Sequence, residues 1–219
     1  DVNVLPVVIA KNGFESSGDN WNLNFSTPAC SNGGDIWNYV TSNNAINPNE
    51  GSQFWGILDL YGNCGGSGFE TITTDTLDVS NATSTTLYFD YHVDGWDTND
   101  DLKYEVFFDG VSQGEVIQVD GYNNFNSAGW ETVSVAIPDV TNKVLLVISV
   151  RQNGSDYGGI DFIRVKGVEA TPNISLSDNG TQIASSNVNQ GAVNHILSQT
   201  QVSATTANAQ LNRLRVLLS

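Results

Sequence analysis

The sequence predicts an all-β fold: a jelly-roll β-sandwich followed by a C-terminal fragment of a second β domain. Three observations predict it. The first 170 residues hold no sustained 3.6-residue apolar period, so long amphipathic helices are not expected. Short runs of alternating apolar and polar residues recur instead between clusters of Gly, Asn and Asp, the pattern of strands joined by turns. After VEATPN the composition shifts to Gln, Asn, Ser, Thr and Ala, which divides the chain into a domain over 1–168 and a remainder over 169–219.

Taken in order, a first strand is expected around Gly13-Phe14-Glu15. In TTLYFDYHV the alternation places Leu87, Phe89, Tyr91 and Val93 on one face and Tyr88, Asp90 and His92 on the other. LKYEVFFDG repeats it, with Leu102, Tyr104, Val106 and Phe108 opposed to Lys103, Glu105 and Phe107. DGWDTNDD, Asp94 to Asp101, is then expected as the loop of a hairpin between these strands. Asp109-Gly110 is a two-residue turn signal leading into SQGEVIQV. ETVSVAIP and KVLLVISVRQ follow as strands, the second apolar enough for burial on both faces, and Ile160 to Val165 forms the last. First and last strands that bracket such a series suit a jelly roll, whose terminal strands lie near one another. In the remainder, NISLSDNGTQI reads as a hairpin around Asn179-Gly180 and LNRLRVLLS as a strand. That remainder is too short for a sandwich core and is expected to be the opening of a second domain, docked on the first or paired with another chain.

Composition bounds the partners. With 24 acidic and 8 basic residues among 219, the net charge of −16 argues against nucleic acid and anionic membrane surfaces. No apolar run approaches the roughly 20 residues of a bilayer span, so membrane insertion is not expected. The chain begins at Asp1 without a signal peptide and is expected to be a mature or trimmed product of a multidomain parent. Cys30 and Cys64, both in Gly/Asn-rich loop contexts, are expected to form a disulfide, with two free thiols as the alternative. A disulfide implies an oxidising, secreted or cell-surface setting.

DGWDTNDD carries the sharpest site question. Asp94, Asp97 and Asp100 have D-x-x-D-x-x-D spacing and Asp101 adds a fourth carboxylate, so the loop reads either as a calcium site or as a solvated acidic turn. It lacks the EF-hand pattern. Trp96 at its tip either folds under a neighbour or meets a ligand. A hairpin pairing His92 with Lys103 sets Asp90 opposite Glu105, and opposed like charges call for a cation, supplied by Lys103 or by a metal or ligand. Trp37 in DIWNYV, with Tyr122 and Phe125 in GYNNFNSAGW, sit in stretches read as aromatic loops suited to stacking on sugar rings. No G-x-S-x-G, H-E-x-x-H, P-loop or dinucleotide fingerprint occurs, and the carboxylate pair Glu105 and Asp109 is the remaining catalytic candidate.

NGFESSGDNW, FDYHVDGWDTNDDLKYEVFFDG and GGIDFIRV together resemble the MAM-like and cleaved-adhesin-like jelly rolls, the choice-of-anchor J type, over about residues 10–167. The resemblance implies a non-catalytic module of a larger secreted or cell-surface protein, binding a glycan or a cell-surface protein. It also implies a structural calcium ion, with Glu15 and Asp161 in the carboxylate positions and Asp35 or Asp59 available to complete the shell. Gly13 and Phe162 stand where the pattern carries further acids.

Overall fold

The protein is described by a computed structural model covering residues 5–15, 17–28, 34–60, 68–123, 125–170, 173–178 and 200–205. Contacts divide the chain into two compact units, Asp1–Glu169 and Ala170–Ser219. Among the described residues the only helical element is one 3-10 turn, Gly121–Asn123, and no helix is long and apolar enough to cross a membrane.

Among the described residues the first unit contains twelve strands: β1 (Val7–Asn12), β2 (Leu23–Phe25), β3 (Ile36–Val40), β4 (Phe54–Leu58), β5 (Glu70–Thr74), β6 (Leu77–Asp78), β7 (Ala82–Asp94), β8 (Asp101–Phe108), β9 (Val111–Asp120), β10 (Glu131–Ile137), β11 (Lys143–Arg151) and β12 (Tyr157–Glu169). They form two antiparallel sheets of a jelly-roll sandwich. Sheet A runs β10-β7-β12-β4-β3, with β1 added on β12; sheet B runs β2-β5-β11-β8-β9, with β6 added on β11. The first and last strands pair, from Val7 opposite Gly167 to Asn12 opposite Ile163.

Alternation builds the core. Leu87, Phe89, Tyr91 and Val93 of β7 and Val144, Leu146, Ile148 and Val150 of β11 are all buried between the sheets. The Asp109-Gly110 turn joins Phe108 to Val111 with both residues at positive φ, 50° and 82°, as a two-residue hairpin turn requires.

Three expectations are corrected. β7 and β8 do not form a hairpin: β7 lies in sheet A beside β10 and β12, and β8 lies in sheet B beside β9 and β11. Alternation tells a strand which side faces the core but not which sheet it joins, and both strands face the same core. The segment from Asp94 to Asp101 therefore crosses from one sheet to the other. Gly13-Phe14-Glu15 follows β1 rather than forming a strand, and Phe14 sits at φ 60°. DIWNYV is not a loop, since Ile36–Val40 is the edge strand β3 on β4. In the second unit, β13 (Asn173–Asp178) pairs with β14 (Thr200–Thr205), and the hairpin expected around Asn179-Gly180 lies outside the described residues. LNRLRVLLS lies outside the described residues.

A bulge in β12 sets which side chains reach the outer side of sheet A. The register against β7 slips between Asp161 and Arg164, with Phe162 at φ 43°. The slip lets Ile160 and Ile163 both enter the core while Asp161 and Arg164 both remain on the outer side beside Asp90.

That outer side is covered. Phe54 and Ile46 are 0% and 1% exposed yet stand outside the inter-sheet cluster, and Trp130 packs edge-on against Phe54 at 5.5 Å. Residues 41–53 run over this face, with the Trp130 indole donating to Asn47 O at 2.8 Å. Gly159 is required below them, because an added Cβ would stand 2.7 Å from the Phe54 ring and 3.0 Å from Trp130. Gly159→Ala is expected to cost about 1–3 kcal/mol by overpacking. Gly68→Ala, with nothing within 4 Å of the added carbon, is expected to stay within about 0.5 kcal/mol. Urea unfolding of the two variants checks the difference.

Candidate functional site

Three polar arrangements stand out, on sheet A's outer face, at one end of the sandwich and on sheet B's outer face.

Under the 41–53 segment, Asp90 and Asp161 are direct cross-strand neighbours, 2% and 0% exposed. Arg164 Nη1 donates to Asp90 Oδ2 at 3.0 Å, and its guanidinium also lies over the Phe162 and Tyr88 rings at 4.3 and 5.1 Å. Asn49 Nδ2 and Thr132 Oγ1 donate to the same carboxylate, at 2.8 and 2.7 Å. Asp161 accepts the amides of Asn49, Glu50 and Phe162 at 2.8, 3.0 and 2.7 Å. Burial nevertheless pushes its carboxyl up to about 7. Glu15 accepts the Ser52 and Gln53 amides at 2.6 and 2.9 Å and the Ser52 hydroxyl at 2.8 Å, and the Ser52 amide leads in holding it below the usual carboxylate range.

Glu15 and Asp161, expected as calcium carboxylates, accept N–H groups in this structure and act as a clamp on residues 49–53. Asp90 was expected opposite Glu105; its like-charged neighbour is Asp161, and the compensating cation is Arg164. His92 pairs across with Gly159 and packs 5.7 Å from Trp130; its Nδ1 is buried without a partner, and desolvation lowers its pKa. Asp90 is buried and His92 half-buried in this arrangement.

At one end of the sandwich, carboxylate oxygens of Asp97, Asp100 and Asp156 lie within 4.8 Å of one another. Asp100 is fully buried, accepts the Asp97 and Asn153 amides at 2.8 Å each, and burial pushes it up to about 6. Asp156 is raised by burial first and then by the Asp97 charge. Gly95 admits this carboxylate, since a Cβ there would stand 2.7 Å from Asp156 Oδ1. In the adjoining loop, Gln152 is 0% exposed and its Oε1 has no hydrogen-bond partner. Three hard carboxylate donors that disfavour one another's charge fit a divalent cation of the calcium type.

Of the four aspartates in DGWDTNDD, the structure brings Asp97 and Asp100 together and leaves out the others. Asp94 ends β7 opposite Tyr157, and Asp101 forms an ion pair with Arg151 at 2.5 Å. Asp156, from NGSDYGG, was missed; no spacing rule connects it to a loop 56 residues earlier, and only the pairing of Tyr157 with Asp94 brings it near. Trp96 is corrected from ligand contact to core: it is 0% exposed and donates to Tyr157 O at 2.9 Å. Trp37 is likewise half-buried packing, edge-on to Trp55 at 5.4 Å and bonded to Ser26 O at 3.0 Å. Tyr122 and Phe125 are exposed, 73% and 36%, on the segment that pairs with Trp96. Cys30 and Cys64 lie outside the described residues.

The outer face of sheet B carries a cavity of about 550 Å³ lined by Thr76, Phe107, Asp109, Gly110 and Lys143, with Leu145 and Val147 as apolar lining from β11. Cross-strand register sets Phe107 opposite Leu145 and Glu105 opposite Val147, so Glu105 continues the same face. Glu105 accepts a hydrogen bond from the Ser112 hydroxyl. Asp109 accepts the amides of Asn142 and Lys143 at 3.1 and 2.8 Å, which fixes the turn beside the cavity. Phe107 was assigned to this face from alternation, but its role was missed because nothing local says that β11 brings Leu145 beside it.

No family model matches the chain, and no curated protein matches it. Solved structures do. TmCBM61 in complex with β-1,4-galactotriose is similar at 16% identity and TM-score 0.46, over 70% of this chain and 92% of that one. The K3 cleaved adhesin domain of Lys-gingipain from Porphyromonas gingivalis is similar at 13% identity and TM-score 0.43, over 73% and 98%. TmCBM27, a carbohydrate-binding module studied for mannan recognition, is similar at 13% identity and TM-score 0.41, over 74% and 98%.

The raised carboxyls give a pH prediction. In the folded state Asp161 and Asp100 hold protons at pH values where the unfolded chain, with aspartates near 3.8, has lost them. The folded state therefore binds more protons, and stability falls as pH rises through about 4 to 7. In chelator the melting temperature is expected to drop between pH 5 and pH 7.5, with a flatter curve in Asp161→Asn. A melting temperature that rises over this window contradicts the assignment.

Proposed function

We propose that this chain is a non-catalytic glycan-binding or adhesion module of a larger secreted or cell-surface protein, of the MAM-like and cleaved-adhesin-like kind, and that it takes sugar on the outer face of sheet B. The observation that carries this reading is the cavity of about 550 Å³ on that face. Its volume lies within the roughly 300–1,000 Å³ of small-ligand sites. A pyranose offers apolar C–H faces and a rim of hydroxyls. The half-exposed Phe107 ring with Leu145 and Val147 supplies an apolar floor, and Thr76, Asp109 and Lys143 supply polar atoms at the edge. Sheet A offers no comparable surface over β12 and β7, since residues 41–53 lie across it. The catalytic alternative is disfavoured by the bonding of Asp109, whose oxygens cap the turn at Asn142 and Lys143.

Glycan-array binding of the whole chain, followed by titration of the best ligand, tests the reading. Phe107→Ala is expected to weaken binding about tenfold or more, equivalent to about 1.4 kcal/mol. Absence of any glycan binding, or binding lost on Tyr122→Ala and retained on Phe107→Ala, overturns it.

The same proposal places calcium with Asp97, Asp100 and Asp156, where it would neutralise three converging carboxylates and fix the crossing from β7 to β8. Calcium at a hundredfold excess over its dissociation constant adds about 2.7 kcal/mol. The melting temperature is then expected to rise by about 5–10 °C, and Asp156→Asn is expected to abolish the rise. An unchanged melt between chelator and millimolar calcium contradicts it.

A further inference from the structure

The cavity on sheet B has a charge asymmetry that bears on which sugar it takes. Six cations occur among the described residues. Lys11, Lys103, Arg151 and Arg164 are ion-paired with Glu50, Glu115, Asp101 and Asp90. Lys166 lies over the Tyr88 ring at 5.7 Å. Lys143, an exposed residue lining the cavity, is the one described cation with neither an ion pair nor a ring partner.

The carboxylates nearest to it along the fold are occupied. Asp78 is its direct cross-strand neighbour, but that side chain accepts the Ser80 amide at 2.9 Å and the Ser80 hydroxyl at 2.6 Å, and the Lys143 charge is the last of the influences on it. Asp109 accepts the amides of Asn142 and of Lys143 itself. In a chain of net charge −16, an ammonium with no ion-paired carboxylate beside an apolar cavity is a specific feature of that site.

We infer that the cavity selects a sugar bearing a single carboxylate, a uronic acid unit, with Lys143 as the residue that reads the acid. This rests on the proposed glycan-binding function and adds the ligand class to it. One carboxylate within about 4 Å of the ammonium gains several kcal/mol of gross attraction at the dielectric of a protein surface. Asp109 on the cavity wall and Asp78 across the strand from Lys143 hold negative charge close by, so the attraction is confined to the ammonium itself. A densely charged polyanion meets that field along its whole length and is disfavoured, so the fitting ligand carries isolated acidic units among neutral ones.

The test is an NMR titration of the full chain with matched glycosides that differ only in carboxylate against hydroxymethyl at C6. Methyl glucuronides are compared with methyl glucosides and methyl galacturonides with methyl galactosides, in both anomers, with an N-acetylated acidic dipeptide as the peptide comparison. At least one uronide is expected to bind about tenfold more tightly than its neutral partner at low salt, a preference that shrinks in 0.5 M salt. Lys143→Met is expected to bring the ratio to within about twofold of one. Equal affinity within every pair overturns this inference and leaves the glycan reading standing, as does a preference that survives Lys143→Met. Tighter binding of the acidic peptide than of any uronide also overturns it. No binding of any glycoside removes both.

Discussion

The arrangement on which the rest of the molecule depends is the attachment of residues 41–53 across the outer face of sheet A by three carboxylates. Asp161 holds the Asn49 and Glu50 amides, Glu15 holds those of Ser52 and Gln53, and Asp90 holds the Asn49 side chain. Once that segment is in place, Ile46 and Phe54 are dry, Gly159 is obligatory, and the Asp90 to Arg164 pair is shut away from water. A buried ion pair adds little net stability against an apolar replacement, but losing one partner leaves a charge stranded. Here the pair is supported on both sides: Asp90 has two further donors, and Arg164 Nη1 also donates to Phe162 O at 2.7 Å. The consequence for function is directional, because the cavity lined by Phe107, Leu145 and Val147 lies on the opposite sheet.

The β12 bulge makes this possible. Without the bulge at Phe162, regular alternation from Ile160 would turn Ile163 outward and Arg164 into the core. The same strand pairs with β1, β4 and β7, so the terminal segment, the edge of the sheet and the crossing loop are all registered against it. The crossing loop in turn is anchored by Trp96 in the core and by Asp100 beneath it, which brings Asp97 and Asp156 to a common point.

How much of this is legible in the sequence depends on the range of each signal. Alternation over two to nine residues reports which side chains face inward, and it assigns Leu87 to Val93 and Leu102 to Phe108 correctly. It says nothing of sheet membership, so a crossover between β7 and β8 looks the same as a hairpin. The DGWDTNDD spacing marks Asp97 and Asp100, but Asp156 arrives from a distant turn and Asp101 is diverted to Arg151, both outcomes of pairing rather than of spacing. The expectation of a cation beside Asp90 rested on a pairing with Glu105 that does not form, and the cation found there, Arg164, depends on the bulge. Trp96 in an acidic loop resembles an exposed platform until the crossing turns its indole in against Gly158 and onto Tyr157 O. Phe107, Leu145 and Val147 look like ordinary strand residues until the strands carrying them are set side by side.

The most direct measurement of the central claim is a crystal structure of the chain with a bound oligosaccharide taken from its best array ligand. The account predicts sugar density on the outer face of sheet B, over Phe107, Leu145 and Val147. Density seated instead on the covered side of sheet A with residues 41–53 displaced, or at Tyr122 and Phe125 at the end of the sandwich, would contradict it.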